Sequence, residues 1–152
     1  MHSIVYEIRK KGETIRCELP DWFEYESHYC DYVNEESNEE TIQSIDWLKK
    51  VMLCERKDNC IILTEEQIKD YLSKLYEKFK KYVSELSTVT LDEYLTDSKY
   101  RISSLLYSLK SAFEDEQGFW FLIGGEMYTL EAFLRVFGPG EYEIVRSWDY
   151  HF

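Results

Sequence analysis

The chain of 152 residues has few residues that interrupt helices and strands, with two prolines and six glycines. It has four cysteines that could form crosslinks, and no two of them form a C-x-x-C pair. Long apolar runs are missing too, since none approaches the roughly 20 residues of a membrane span. The first ten residues alternate apolar and polar side chains, which is unlike the apolar block of a secretory signal. We therefore expect a soluble, cytoplasmic protein with a single domain over 1–152 and reduced thiols.

The shortage of basic residues is the most informative feature of the composition. The chain carries 30 Asp and Glu against 18 Lys and Arg, for a net charge of −12. Between residues 21 and 48 there is no Lys or Arg, and nine acids there hold three quarters of the net charge. Such a field repels nucleic acid, so direct DNA or RNA binding is not expected. We expect a protein partner, with no contact to nucleic acid or to a membrane.

Groups that carry catalysis are few and poorly placed. His2 and His151 lie near the chain ends, where a preorganised site is not expected. His28 and Cys30 lack the second short-spaced pair of ligands that a zinc site needs. We therefore predict no enzyme activity, no cofactor and no metal. The alternative of another class is a small enzyme that uses Cys17, His28 or Cys30, although nothing in the sequence orients a Cys–His pair.

Alternating patterns predict the strands of an α+β fold. Alternation indicates strands at Ser3–Ile8, Thr14–Leu19 and Glu141–Trp148, and the apolar run Phe119–Ile123 indicates a buried strand. Because Gly12 can adopt a positive φ, we expect a hairpin between the first two strands. The N- and C-terminal strands are expected to form a small antiparallel sheet on which several helices pack.

Helical spacing is clearest between Ile68 and Leu86, where apolar side chains follow one face. Capping boxes of the form S/T-x-x-E/Q predict helix starts after Ser37, Thr64 and Thr90. A further helix is predicted from Asp21 to Val33, where apolar residues recur at spacings of three and four. Residues 34–38 are then expected to form a loop.

The stretch without bases is also rich in aromatic side chains, unlike a disordered acidic tail. A rigid row of carboxylates can occupy a groove that otherwise holds phosphates, and aromatic side chains can anchor it. The predicted partner-binding residues are Glu24, Asp31, Glu35, Glu36, Glu39, Glu40, Trp22, Tyr25, Tyr29 and Trp47.

These features favour an acidic inhibitor that binds a nucleic-acid-handling protein and blocks its basic groove. A phage-borne or mobile-element-borne anti-defence protein, such as an anti-CRISPR or anti-restriction protein, fits that description. An immunity protein that neutralises a basic toxin nuclease would use the same physics. Two other interpretations stay open: an interaction module that uses Trp148–Phe152, and an acidic face that is only solvated or is paired with the lysine-rich helix at 65–86.

Overall fold

Seven strands of the described chain form one mixed sheet, and five helices accompany it. The computed structural model describes residues 2–14, 19, 23, 32–52, 55–96, 100–113 and 118–151. The elements in chain order are β1 (His2–Lys10), β2 (Tyr32–Glu35), α1 (Asn38–Met52), β3 (Glu55–Lys57), β4 (Cys60–Leu63), α2 (Glu65–Leu86), α3 (Leu91–Thr96), α4 (Arg101–Phe113), β5 (Phe119–Ile123), β6 (Glu126–Tyr128), α5 (Leu130–Phe137) and β7 (Gly140–His151). The predicted α+β fold is confirmed, as is the antiparallel pairing of the N-terminal strand with the C-terminal strand.

Strand β7 is the longest strand and organises the sheet. β1 pairs with it antiparallel along most of its length. On the opposite edge, β4 pairs with the first residues of β7 and β2 pairs with the last four. Between β4 and β2, Asn59 and Ile144 exchange hydrogen bonds, and the Glu36 N–H donates to the Ser147 carbonyl. The second edge of β7 therefore has partners at both ends and in the middle.

The sheet differs from the expected antiparallel one on the far side of β1. There β5 runs parallel to β1, with Ile4 opposite Phe119, and β6 pairs with β5 at the edge of the sheet. A parallel pair needs a long crossover instead of a hairpin, and the whole chain between β1 and β5 supplies it. Local patterns do not specify that direction.

Alternate residues of β1 point to opposite faces of the sheet and belong to two separate cores. Tyr6 belongs to the larger core, which also contains Phe121, Phe133 and residues of α1, α2 and α5. The Phe133 ring lies 4.5 Å from that of Phe121, centre to centre. Val5 belongs to the smaller core on the other face, which also contains Phe23. Helices α1, α2 and α5 therefore pack on one face of the sheet, and the described residue Phe23 contributes to the other.

The helix starts predicted from capping boxes are confirmed at α1, α2 and α3. At α2 the Gln67 N–H donates to the Thr64 hydroxyl, and the Thr64 N–H donates to the Gln67 side chain at 2.8 Å. Thr90 and Glu93 make the same exchange at α3. These starts were predictable because the hydrogen bonds join residues only three positions apart.

The interpretation of residues 32–35 was wrong. Val33 was expected to end a helix and Asn34 and Glu35 to lie in a loop, but all three belong to strand β2. Asn and Glu have low strand propensity, so the strand forms because the end of β7 offers it hydrogen-bonding groups. Apart from Phe23, the rest of the predicted helix from Asp21 lies outside the described residues, as does most of the predicted strand Thr14–Leu19.

Candidate partner-binding surface

Helix α1 begins inside the acidic stretch because Ser37 and Glu40 cap it. The Ser37 N–H donates to the Glu40 carboxylate at 2.8 Å, and the Glu40 N–H donates to the Ser37 hydroxyl oxygen at 3.4 Å. The hydrogen bond from the Ser37 side chain is the largest cause that lowers the pKa of Glu40. Glu40 is therefore an exposed carboxylate that also stabilises the start of the helix.

Glu36, just before the helix, turns its carboxylate toward the sheet. Its Oε2 accepts from the Ser44 hydroxyl at 3.0 Å and from the hydroxyl of Ser147, a fully buried residue of β7. The Ser147 oxygen lies 2.9 Å from the Thr41 hydroxyl, and the Tyr6 hydroxyl donates to the Ser44 carbonyl at 2.9 Å. Burial raises the pKa of Tyr6 above its usual range. We call these five residues the Glu36 cluster. They join α1 to β1 and β7, so the Glu36 carboxylate makes its contacts within the fold.

Glu35 lies in β2 and meets a base from β7. Its Oε2 is 3.7 Å from Arg146 Nη1, and Arg146 Nε donates at 2.8 Å to the Oε2 of Glu7, which is buried. The same guanidinium lies over the Trp148 ring, 4.9 Å from its centre. Because Arg146 joins two acids, the charge of Glu35 is partly balanced within the molecule.

The outward face of α1 carries acids between apolar side chains. Glu39 and Asp46 are exposed and lie on the same side, about two turns apart. Ile42, 48% exposed, and Trp47, 39% exposed, flank them on opposite sides. The Trp47 ring meets the Phe119 ring edge-on at 5.3 Å, which holds the indole in place while part of it stays accessible. We call Glu39, Ile42, Asp46 and Trp47 the α1 surface.

The charge on the exposed side of α1 changes from negative to positive toward the end of the helix. Lys49 and Lys50 are exposed in the last turn, where cations interact favourably with the helix dipole. Within α1, Glu39 and Glu40 therefore place negative charge in the first turn, and the lysines place positive charge in the last.

One interpretation left open above is that lysines of helix α2 pair with the acids of the stretch without bases. Three of its five lysines form ion pairs with acids of α2 itself: Lys74 with Asp70, Lys80 with Glu77 and Lys81 with Glu85. Lys80 and Lys81 also lie over tyrosine rings of the same helix. Among the described acids of the stretch, Glu35 is paired with Arg146 of β7.

The predicted site residues have three different outcomes. Glu39 and Trp47 lie on the α1 surface, and Glu40 lies beside it as a cap. Glu35 and Glu36 form internal contacts and are not brought together with the others as a row. Five residues lie outside the described part of the chain and remain predictions: Trp22, Glu24, Tyr25, Tyr29 and Asp31.

Two residues of this region were missed by the sequence interpretation. Ile42 was not among the predicted site residues, yet it lies on the exposed side of α1, next to the acids. Arg146 was counted only as part of an alternating strand. The alternation put it on the same side as Trp148, but the pairing that brings it to Glu35 and Glu7 depends on sheet register.

Of the groups considered for chemistry, the described ones are His2 and His151, which lie opposite each other in strands β1 and β7. Cys60 is a buried free thiol, and burial raises its pKa, so it packs as a small apolar residue. Cys17, His28 and Cys30 lie outside the described residues. Among the residues that are described, no group of three His, Cys, Asp or Glu side chains is placed to hold a metal ion. None of the described helices has both the length and the apolar character to cross a bilayer.

Comparisons with protein-family models, with curated proteins and with solved structures found no match to this chain.

Proposed function

We propose that this protein is an acidic inhibitor that binds a nucleic-acid-handling protein and blocks its basic groove. The observation that carries the proposal is the α1 surface, where Glu39 and Asp46 lie between the accessible parts of Ile42 and Trp47. The surface belongs to a stretch of 28 residues without a Lys or Arg, in a chain of net charge −12. Acids beside apolar anchors suit a partner whose cationic residues otherwise hold phosphates.

The proposed mechanism is steric and electrostatic. The long-range negative field attracts the basic groove and speeds association, and the carboxylates of Glu39, Asp46 and Glu40 then meet its Lys and Arg side chains. Ile42 and Trp47 supply apolar area that is removed from water on binding. Glu36 is not part of this contact, because its carboxylate is half-buried and faces the sheet, whereas that of Glu40 is exposed.

The proposed setting is the cytoplasm of a host cell, where a phage or mobile element would use such a protein against a CRISPR effector or a restriction enzyme. The physical requirements on the partner are a groove lined by Lys and Arg and loss of nucleic-acid binding when the groove is filled. Both can be measured without knowing the partner in advance.

The test compares two charge reversals at matched positions. Glu39 and Glu66 are both exposed, and each is the second residue of a helix that follows a capping box. Glu39→Lys and Glu66→Lys therefore change the net charge and the helix-dipole interaction alike. We expect only Glu39→Lys to weaken binding, by about 5–30-fold, chiefly through slower association.

The measurement has two stages. Tagged wild-type protein captures partners from host lysate at low and high salt, and each captured nuclease or nucleic-acid-binding protein is purified. Its nucleic-acid binding or cleavage is then titrated with wild type and both variants, and inhibition should weaken as salt rises. Equal potency of the three proteins, or a captured partner whose activity none of them affects, contradicts the proposal.

A further inference from the structure

A hollow lies on the surface where α2, the end of α4 and α5 meet. Its volume is about 170 Å³, and every residue that lines it except Arg135 has an aromatic or aliphatic side chain. Among these residues Leu75 is buried, whereas Tyr76 of α2 is 58% exposed and Phe113 of α4 is 51% exposed. Two accessible rings from different helices therefore line one apolar hollow.

The size of the hollow suits one ring or one branched aliphatic side chain. An apolar cavity of about 150 Å³ takes up one benzene molecule. Pockets that hold whole ligands are larger, at about 300–1,000 Å³. The hollow therefore suits a single side chain of a longer molecule, the rest of which lies outside it.

Arg135 of α5 holds a positive charge in a fixed position beside the hollow. Its guanidinium carbon lies 4.6 Å from the centre of the Phe113 ring, and its Nη2 donates to the Phe113 carbonyl at 3.4 Å. The first contact is a cation–π interaction, and the second satisfies a carbonyl at the end of α4. A guanidinium has several further N–H donors, so a ligand in the hollow can still receive hydrogen bonds from it.

Arg135 differs from the other arginines whose side chains the structure describes. Those arginines form ion pairs, which are Arg9 with Glu143, Arg101 with Glu93 and Arg146 with Glu7. No carboxylate of the described residues pairs with Arg135, although the chain contains 30 acids. Lys80, whose ammonium group lies over the Tyr76 ring, is already paired with Glu77. Arg135 is therefore the cation beside the hollow that can meet a carboxylate from another molecule.

We infer that the hollow binds the C-terminal residue of a peptide chain that ends in an aromatic or large aliphatic side chain. The side chain fills the hollow, and the terminal carboxylate accepts charge-assisted hydrogen bonds from Arg135. A chain end carries both groups on one residue. A segment with several carboxylates is less suitable, because the net charge of −12 repels it. The hollow contains no residue of the α1 surface, so this inference is independent of the proposed inhibitory function.

The test titrates the isotope-labelled full chain with short peptides and follows its backbone amide signals by NMR. At about 0.15 M salt, the net charge of the protein is largely screened beyond about 8 Å. The probe is N-acetyl-Gly-Gly-Phe with a free carboxylate. Its C-terminal amide keeps the ring without the charge, and N-acetyl-Gly-Gly-Ala keeps the charge without the ring.

We expect a dissociation constant of about 1 mM for the probe, because so small a ligand makes few contacts. The amide and the Ala peptide should each bind at least about 5-fold more weakly, since each lacks one of the two interactions. The amide signals of Tyr76, Phe113 and Arg135 should shift on binding, and those of Glu39 and Trp47 on the α1 surface should not.

Two variants with matched controls assign the binding to the hollow. Arg135→Gln should weaken the probe at least about 5-fold and leave the binding of its amide unchanged, whereas Arg101→Gln removes the same charge from the other end of α4 and should leave both unchanged. Tyr76→Ala should weaken the probe and its amide alike. Tyr107→Ala, which removes an exposed ring of α4 that does not line the hollow, should weaken neither. Circular dichroism checks that all four variants are folded.

Three results overturn the inference. The first is equal affinity for the probe and its amide, or no shift of the signals at the hollow up to about 10 mM probe. The second is an affinity for the probe that Arg135→Gln leaves unchanged. The third is binding of phenylpropionate as tight as that of the probe, which would assign the hollow to free aromatic acids instead of chain ends.

Discussion

Replacement of Glu36 by Ala tests whether this carboxylate holds the fold together or belongs to the solvated acidic surface. Glu36 accepts hydrogen bonds from Ser44 and Ser147, and hydrogen bonds to charged groups contribute about 1.5–3 kcal/mol each. Glu36 is only half-buried, and in the variant both serines keep their contact with Thr41. We therefore take the lower end of this energy range for each hydrogen bond. We expect a loss of about 2–3 kcal/mol in the free energy of unfolding.

Urea and thermal unfolding, followed by circular dichroism, measure this loss. For a chain of this size, about 2–3 kcal/mol corresponds to a fall of roughly 5–10 °C in the unfolding temperature. Glu39→Ala is the control, since it removes an exposed acid three residues away and should change stability by no more than about 0.5 kcal/mol. In a double-mutant cycle, Glu36→Ala and Ser147→Ala should show a coupling of about 1–2 kcal/mol.

The outcome that refutes this reasoning is specific. If Glu36→Ala and Glu39→Ala destabilise the protein equally and slightly, Glu36 is a solvated carboxylate and the Glu36 cluster does not stabilise the docking of α1. A large effect of Glu36→Ala without coupling to Ser147 would assign the stability to Ser44 alone.

Two further predictions concern the backbone and the pH dependence of stability. Gly138, with φ 68° and ψ −160°, ends α5 in a region open almost only to glycine, so Gly138→Ala should cost about 1–3 kcal/mol in urea unfolding. Gly140→Ala, where an added Cβ meets Tyr142 at ordinary distance, should cost clearly less, and equal costs would contradict the assignment. The Arg9 side chain lowers the pKa of Glu143 below its ordinary value of 4.5, so this pair stabilises the fold above that value and loses its effect as the pH falls through the lowered pKa. Urea midpoints of Glu143→Gln should therefore depend less on pH below about 5 than those of wild type, and parallel curves would refute this.

The elements that were predictable depend on residues close together in the chain. Capping boxes at Ser37, Thr64 and Thr90 start helices in the structure, and the apolar face from Ile68 begins at a buried residue of α2. Helix α5, Leu130–Phe137, ends at Gly138, a residue that often follows the last turn of a helix. Local hydrogen bonds and periodicity decide such features before any tertiary contact forms.

Strand β2 shows what local patterns cannot decide. Asn34 and Glu35 lie in a strand because β7 continues past β4 and leaves hydrogen-bonding groups there. The same pairing brings Arg146 to Glu35 and Ser147 to Glu36. The candidate site was therefore only partly predictable, since the sequence showed which residues are acidic but not which of them the sheet would use.

By itself, the sequence determined the α+β class, the helix starts, the excess of acids and the stretch without bases, because each follows from composition or from neighbours within a few residues. The tertiary structure alone decided the direction of β5, the register on β7 and the division of the acids into internal and exposed groups. Strand pairing joins residues that are more than a hundred positions apart, such as Glu36 and Ser147. No pattern within either segment specifies the other as its partner, so the direction in which a carboxylate points is settled only when the sheet is assembled.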